Sequence, residues 1–585
     1  VIVVWVYNQN TITINQVKVD NIKVEGNSVT SGLVGMSTSK IEIQQCKVKN
    51  SNINYKNCNG NIQAQAGILA NTYDSATITN CYVGKTTFEN DLVKMPGEST
   101  SGNTCAGILG VAGWGNGSSN IQITGSSIVD TKLAWGTNVG GICGSVGSYV
   151  NSLNLENCNA KNIESATGTA VGGILGYTQS NSTTILNCDV DGFKAKGIAY
   201  ENSSQNLGGI AGYLATKTVN IKDCDAKRLN FEIEGSPYGK KEIAGIVGAS
   251  SGGGSWGNDN NGKIINCTVK DSEMKFNVDE SKINKASYSH LCGIAGYNAL
   301  NFENCIVSKT KMYMLTDAEN LDGQNTKYWY SDVNGISGAS GTARTISNCK
   351  VLNTEMKNEV GQVHGICTYA YDGITTINTF TIENSNIYSL NFAAGGFGYM
   401  NAVILDGFTA KNTNITSEAF HAAGVTVDGP INYNSILKNI NIDGCNIGNT
   451  KRYENKITET GYYGCVAGVS SVYGNIENAT VVNTTLTNHS RNTGGIVGYL
   501  SYGTLSNCEV NNITINSEGR DVGGIIGNAS MATIENCNVN GGTINSTREG
   551  VGGIAGQTGG SIKNCTTKNI SITTNQGNTG GIVGY

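Results

Sequence analysis

Charge, proline, histidine and long apolar runs are all scarce in this chain. Only 14% of its 585 residues are charged, and the formal net charge is −5. No basic face is visible, so nucleic acid is not an expected partner. No run of 18 apolar residues occurs, so no segment is expected to insert into a membrane. The opening stretch 1–7 is too short and reads as a strand. Proline occurs 3 times, and glycine, though abundant, is not every third residue, which excludes collagen. The four histidines, His290, His364, His421 and His489, include no H-E-x-x-H pair, and each is expected on a surface or at a corner. No cysteines stand in C-x-x-C spacing, so neither zinc nor any other metal or cofactor is expected. Helical periodicity is absent throughout.

What is present is a repeat. Gly-Gly-Ile-Val-Gly-Tyr at 494–499 returns at 580–585, and close copies stand at 172–177 and 208–213. Looser copies fill the intervals. In all there are 17, with the second glycine position at 32, 67, 107, 141, 173, 209, 245, 293, 335, 365, 396, 424, 465, 495, 524, 553 and 581. Self-similarity at a near-fixed period marks a stacked repeat architecture, in which each repeat contacts only its neighbours. The chain contains 78 glycines beside a 38% hydrophobic share. It is not a disordered linker, because Ile and Val recur at fixed offsets.

Side-chain parity locates the corners. In a strand, side chains alternate faces with period 2. Leu505 and Cys508 are three apart, so both point inward only if the chain turns between them. Asn507 stands there, and asparagine tolerates the left-handed or bridge backbone that a corner needs. Val510 and Ile513 are also three apart, with Asn511 and Asn512 between them. Each repeat of about 28 residues thus reads as about three short strands joined by Asn or Gly corners. The fold expected is all-β: a three-sided parallel β-helix of about 17 coils, with 1–585 as one β-solenoid domain. At about 4.8 Å per coil the stack would reach roughly 80 Å. The Ile of each glycine signature belongs in the core, where full burial contributes about 1.5–3 kcal/mol. The chain opens at Val1, stops inside a copy of the signature and shows no polar cap, so it is expected to be part of a longer protein.

Excess length must leave the coils as loops, most clearly at 86–99, 250–263, 315–333 and 448–459. Carboxylates such as Asp259, Asp317, Glu319 and Asp322 scatter through these insertions, and no catalytic pair can be assembled. Aromatic residues give a better hint of function. Trp114, Trp135, Trp256 and Trp329 lie in or beside loops, the last flanked by Tyr328 and Tyr330. Exposed rings beside polar loops suit sugar stacking or a protein partner. Tyr177, Tyr213, Tyr297, Tyr499 and Tyr585 share a repeat position and are expected to form an axial row. Thirteen N-x-S/T sites occur, including Asn116, Asn202, Asn414, Asn483 and Asn545. Asn266 and Asn564, at corners, are expected to be inaccessible.

Of 18 cysteines, twelve are assigned to one place just after the corner: Cys46, Cys81, Cys158, Cys188, Cys224, Cys267, Cys305, Cys349, Cys445, Cys508, Cys537 and Cys565. Matching positions are assigned to Ser385, Gly407 and Ala479, so small size is the expected requirement. A column of buried free thiols is the favoured reading. The alternative is axial disulfides between coils, which the spacing would permit.

The pairing of Gly-Gly-Ile-Val-Gly-Tyr with a following Ile-x-Asn-Cys-x-Val resembles the GLUG-motif repeats. These occur in large surface proteins of bacteria and some protists, and in the non-catalytic part of some bacterial IgA-cleaving metallopeptidases. The resemblance is specific at 172–188, 208–224 and 494–565 and weak at 360–430. It implies an extracellular, adhesin-like or stalk-like β-solenoid and carries over no catalytic residue. The function expected is that of a structural or adhesive surface protein, a rigid rod or filament subunit that presents loops to protein partners, to copies of itself and to glycans. The alternative is a carbohydrate-binding or carbohydrate-active β-helix working through the insertions at 250–263 and 315–333.

Overall fold

A computed structural model of the chain describes residues 3–6, 11–56, 63–90, 103–113, 118–166, 168–201, 203–250, 262–279, 288–298, 300–318, 321, 331–338, 344–427, 429, 434–450 and 466–585. The described residues contain strands, turns and bends and no helix. They form a parallel β-solenoid of about 15 turns in all, close to the 17 signatures. Two compact units divide at 301/302: residues 1–301 and 302–585.

In the first unit a coil is cut into five short strands. One coil comprises Ile41–Gln44, Lys47–Lys49, Asn52–Tyr55, Gln63–Ala66 and Leu69–Thr72. The next comprises Ala76–Thr79, Tyr82–Gly84, Thr87–Asn90, Asn103–Ala106 and Leu109–Ala112. Each strand pairs in parallel with its equivalent one coil away, which builds five ladders. In the second unit the pieces merge toward the expected three, as in Ile526–Glu535, Asn538–Ser546 and Val551–Gly552.

The corners are where parity places them. Asn507 and Asn512 have φ of 54° and 53°, and Leu505, Cys508, Val510 and Ile513 all point into the core. The first corner is also left-handed at Asn80, Gly125, Asn157, Asn187, Asp223 and Asn266. The signature isoleucines Ile174, Ile210, Ile496 and Ile525 are buried. Successive signatures lie directly against each other: Ile174 N–H donates to Ile210 O at 3.0 Å, and Ile496 N–H to Ile525 O at 2.9 Å.

The cysteine column exists but its membership differs from the sequence reading. In the second unit the register runs Cys349, Phe380, Phe408, Ile440, Ala479. Small size is therefore not required there, and the rings of Phe380 and Phe408 stack at 5.8 Å. Gly407 is the corner itself, with φ of 88°. Cys445 and Ser385 belong to a second column, past the next corner, level with Thr413 and Thr484. The sequence reading conflated the two columns because both corners precede a small residue. The described cysteines are free thiols, buried except for the half-buried Cys565.

Several loop boundaries also shift. Thr87–Asn90, Ser331–Asn334 and Asn446–Asn449 are strand residues that pair in register with neighbouring coils. The extra length falls at 91–102, 251–261, 322–330 and 451–465, outside the described residues.

Candidate functional site

In the first unit, three consecutive coils meet around a small recess lined by Tyr55, Ala64, Gln65, Asn90, Asn103, Thr104 and Trp135. It sits where the third ladder hands over to the fourth. Tyr55 and Asn90 end neighbouring strands in register. Asn103 and Thr104 open the fourth-ladder strand, in register with Gln63 and Ala64. Trp135 comes from the third coil, and its carbonyl accepts from Asn90 Nδ2. Gln65 Nε2 donates to Glu89 O at 2.7 Å, which fixes that amide against the wall.

Asn103 is the unusual member. It is 4% exposed, and neither Oδ1 nor Nδ2 has a hydrogen-bond partner. Leaving a buried amide unmatched costs about 1–3 kcal/mol per group. No lining side chain is charged at neutral pH. The recess therefore offers hydrogen-bond donors and acceptors to a neutral, polar group about the size of one water molecule.

A second polar cluster lies in the second unit and is sealed. Asn334 Nδ2 donates to Asp332 Oδ1 at 3.0 Å, Thr368 Oγ1 donates to Asn334 Oδ1 at 2.8 Å, and His364 Nδ1 lies 3.2 Å from Thr368 Oγ1. Arg344 Nη1 donates to Ser337 Oγ at 2.6 Å. All six residues are buried, so this network ties coils together out of a ligand's reach. Burial pushes His364 down to about 4.

Three of the four histidines are inside the coils, contrary to the expected surface or corner placement. His290, His364 and His421 are buried and His489 is half-buried. His364 stands immediately before a signature glycine, on the inner side of the turn. His421 packs at 5.4 Å on Phe392, and His290 Nε2 lies 3.9 Å from Glu242 Oε1. The tyrosine row is also only partial. Tyr177 and Tyr213 are in register with rings 5.6 Å apart, but Tyr213 is followed by Ala249, and Tyr499 lies between Ser471 and Asn528. Signatures without a tyrosine interrupt it.

Trp114, Trp256, Tyr328, Trp329 and Tyr330 lie outside the described residues, as do Asn116 and Asn202. Asn414, Asn483 and Asn545 are exposed. Asn266 and Asn564, expected to be inaccessible, are exposed too, because the left-handed corner turns the side chain outward. There the amides form ladders between coils: Asn512 Nδ2 donates to Asn483 Oδ1 at 2.9 Å, and Asn266 Nδ2 to Asp223 Oδ1 at 2.7 Å. Of the recess residues, only Trp135 drew attention in the sequence. The others are scattered between Tyr55 and Thr104 without periodicity, and no local signal marks them.

The architecture is that of a β-solenoid repeat protein. Within it, residues 518–545 match the family model of the GLUG motif, and this segment holds one complete passage from corner to corner of the second unit. No curated protein and no solved structure matches the chain.

Proposed function

We propose that this chain is a structural and adhesive part of an extracellular surface protein, with the stacked coils as a stiff scaffold and the corner insertions as contact elements. The observation that carries this reading is that insertions leave the register untouched. Twelve residues separate Asn90 from Asn103, yet Gln63 pairs with Asn103, and Thr104 with Asn138, as if nothing intervened. A scaffold that accepts variable loops without altering its frame suits display to protein partners, to further copies of itself and to glycans. Buried thiols fit an oxidising exterior, since oxidants cannot reach them. Exposed Asn414, Asn483 and Asn545 would accept N-glycans at Nδ2, the atom that in Asn483 and Asn545 donates to Asp443 Oδ1 and Asn516 Oδ1.

Antibodies against the purified chain, applied to intact source cells, test this. Labelling without permeabilisation is expected. Labelling that appears only after lysis would overturn the reading.

A further inference from the structure

We propose that the outer face of the second ladder, which contains Lys47–Lys49 and Tyr82–Gly84, pairs with the same face of a second copy of this chain. The two copies run antiparallel about a two-fold axis at Ser127. This deepens the reading that the scaffold contacts copies of itself, and rests on it. Along that face one outward position reads Lys18, Lys47, Tyr82, Ser127, Asn159, Asp189 and Asp225 over seven successive coils. Lysines stand at one end, aspartates at the other and neutral groups between. All of these residues are exposed or half-buried, while the residue that follows each one is buried.

Reversing the order sets each residue against its complement. Lys18 of one copy faces Asp225 of the other, Lys47 faces Asp189, Tyr82 faces Asn159, and Ser127 faces itself. The adjacent outward position behaves alike, since Asp20 and Lys49 at one end match Lys227 and Asp191 at the other. An isologous contact requires this self-complementarity, because whatever residue i touches must touch i in return.

Spacing and charge single out a second copy as the occupant. Both faces share the coil period of about 4.8 Å, so charges that match at one coil stay matched along the stack. Lys18 lies beside Lys47 and Asp189 beside Asp225, like charges in register, which costs stability in a lone sheet. Burial and the neighbouring Asp225 raise the Asp189 carboxyl above its usual range. The lysines of an opposing copy relieve the acidic pair, and its aspartates relieve the basic one. By contrast Asp191, in the adjacent position, is already held within its own copy by Lys227 at 3.5 Å and by Arg228. The contact runs about 30 Å along a strand of 3 residues. That is less than a stable dimer buries, so the pairing is weak, reversible and sensitive to salt.

Sedimentation equilibrium of the full chain tests this. A monomer–dimer equilibrium is expected at low ionic strength, with Kd rising about tenfold or more between about 50 and about 500 mM NaCl. Lys18→Glu combined with Lys47→Glu makes both ends of the face acidic, and Asp189→Lys combined with Asp225→Lys makes both ends basic. Each double variant should stay monomeric. An equimolar mixture of the two should dimerise, since every end then meets its opposite. Lys47→Gln alone should weaken the dimer by about threefold, which keeps the test open if a double variant misfolds. Three results would overturn the proposal: a chain that stays monomeric at low salt, a dimer that all of these variants leave unchanged, or well-folded double variants whose mixture stays monomeric. None of them alters the labelling of intact cells, whose absence would instead count against the surface reading itself.

Discussion

The N–H of Gly173 donates to the carbonyl oxygen of Gly209 in the next coil at 3.0 Å, and a Cβ on Gly173 would stand 2.3 Å from that same oxygen. It would also fall 2.7 and 2.8 Å from the two methyls of Val190. Backbone cannot yield as a flexible side chain can. Gly173→Ala should therefore cost about 1–3 kcal/mol through overpacking. Urea unfolding followed by circular dichroism would show it. Gly577→Ala, where nothing lies within 4 Å, serves as the control and should be neutral or slightly stabilising.

At the corner, backbone conformation outweighs the side-chain contact. Asn507 has φ of 54°, and its Oδ1 accepts a long 3.4 Å bond from Asn536 on the exposed face. Asn507→Ala should cost about 1–2 kcal/mol, the penalty of a left-handed alanine. Asn507→Gly should cost less, since Gly125 already holds the equivalent corner at φ of 60°. Equal losses in the two variants, measured by the same unfolding assay, would point to the amide ladder instead.

Burial lowers His364 and His421 to about 4, below the ordinary value near 6.5. Between those pH values the unfolded chain binds more protons than the folded one, so stability is full above about pH 6.5 and falls as pH drops toward 4. Each ring contributes up to about 3 kcal/mol to that fall. Unfolding of His421→Phe, whose ring fits against Phe392, should depend less on pH over this interval.

The thiols predict the opposite slope at alkaline pH. Burial pushes Cys81 and Cys105 up to about 12 and Cys445 up to about 11. Their contribution is complete below about pH 8.5 and is lost as pH rises through 11–12, because the unfolded chain ionises first. In a thiol-reactive dye assay at pH 8, the buried cysteines of the native chain should react only after urea is added. Among the described cysteines, the half-buried Cys565 should react first.

What could be read in advance was whatever repeats. Leu505, Cys508, Val510 and Ile513 betray two corners because a three-residue spacing conflicts with strand parity, and the same conflict recurs coil after coil. The signature isoleucines are legible for the same reason. Phe380 and Phe408 were not, because a corner at Thr379 or Gly407 lacks the asparagine that flags the others. His364 and His421 were misplaced because polarity suggested the outside, while their register puts them within the turn. The recess around Asn103 is the clearest loss. Its walls come from three coils, and only the stacking brings Tyr55 and Trp135 together.

The doubled pairing of each interior strand has a consequence for durability. A protease must draw several residues of extended chain into its cleft, and here most amides are already committed to the storeys above and below. Cutting within the described strands should thus be slow. A chain nicked at one strand would still be held by the ladders on either side, so a single break need not bring down the frame.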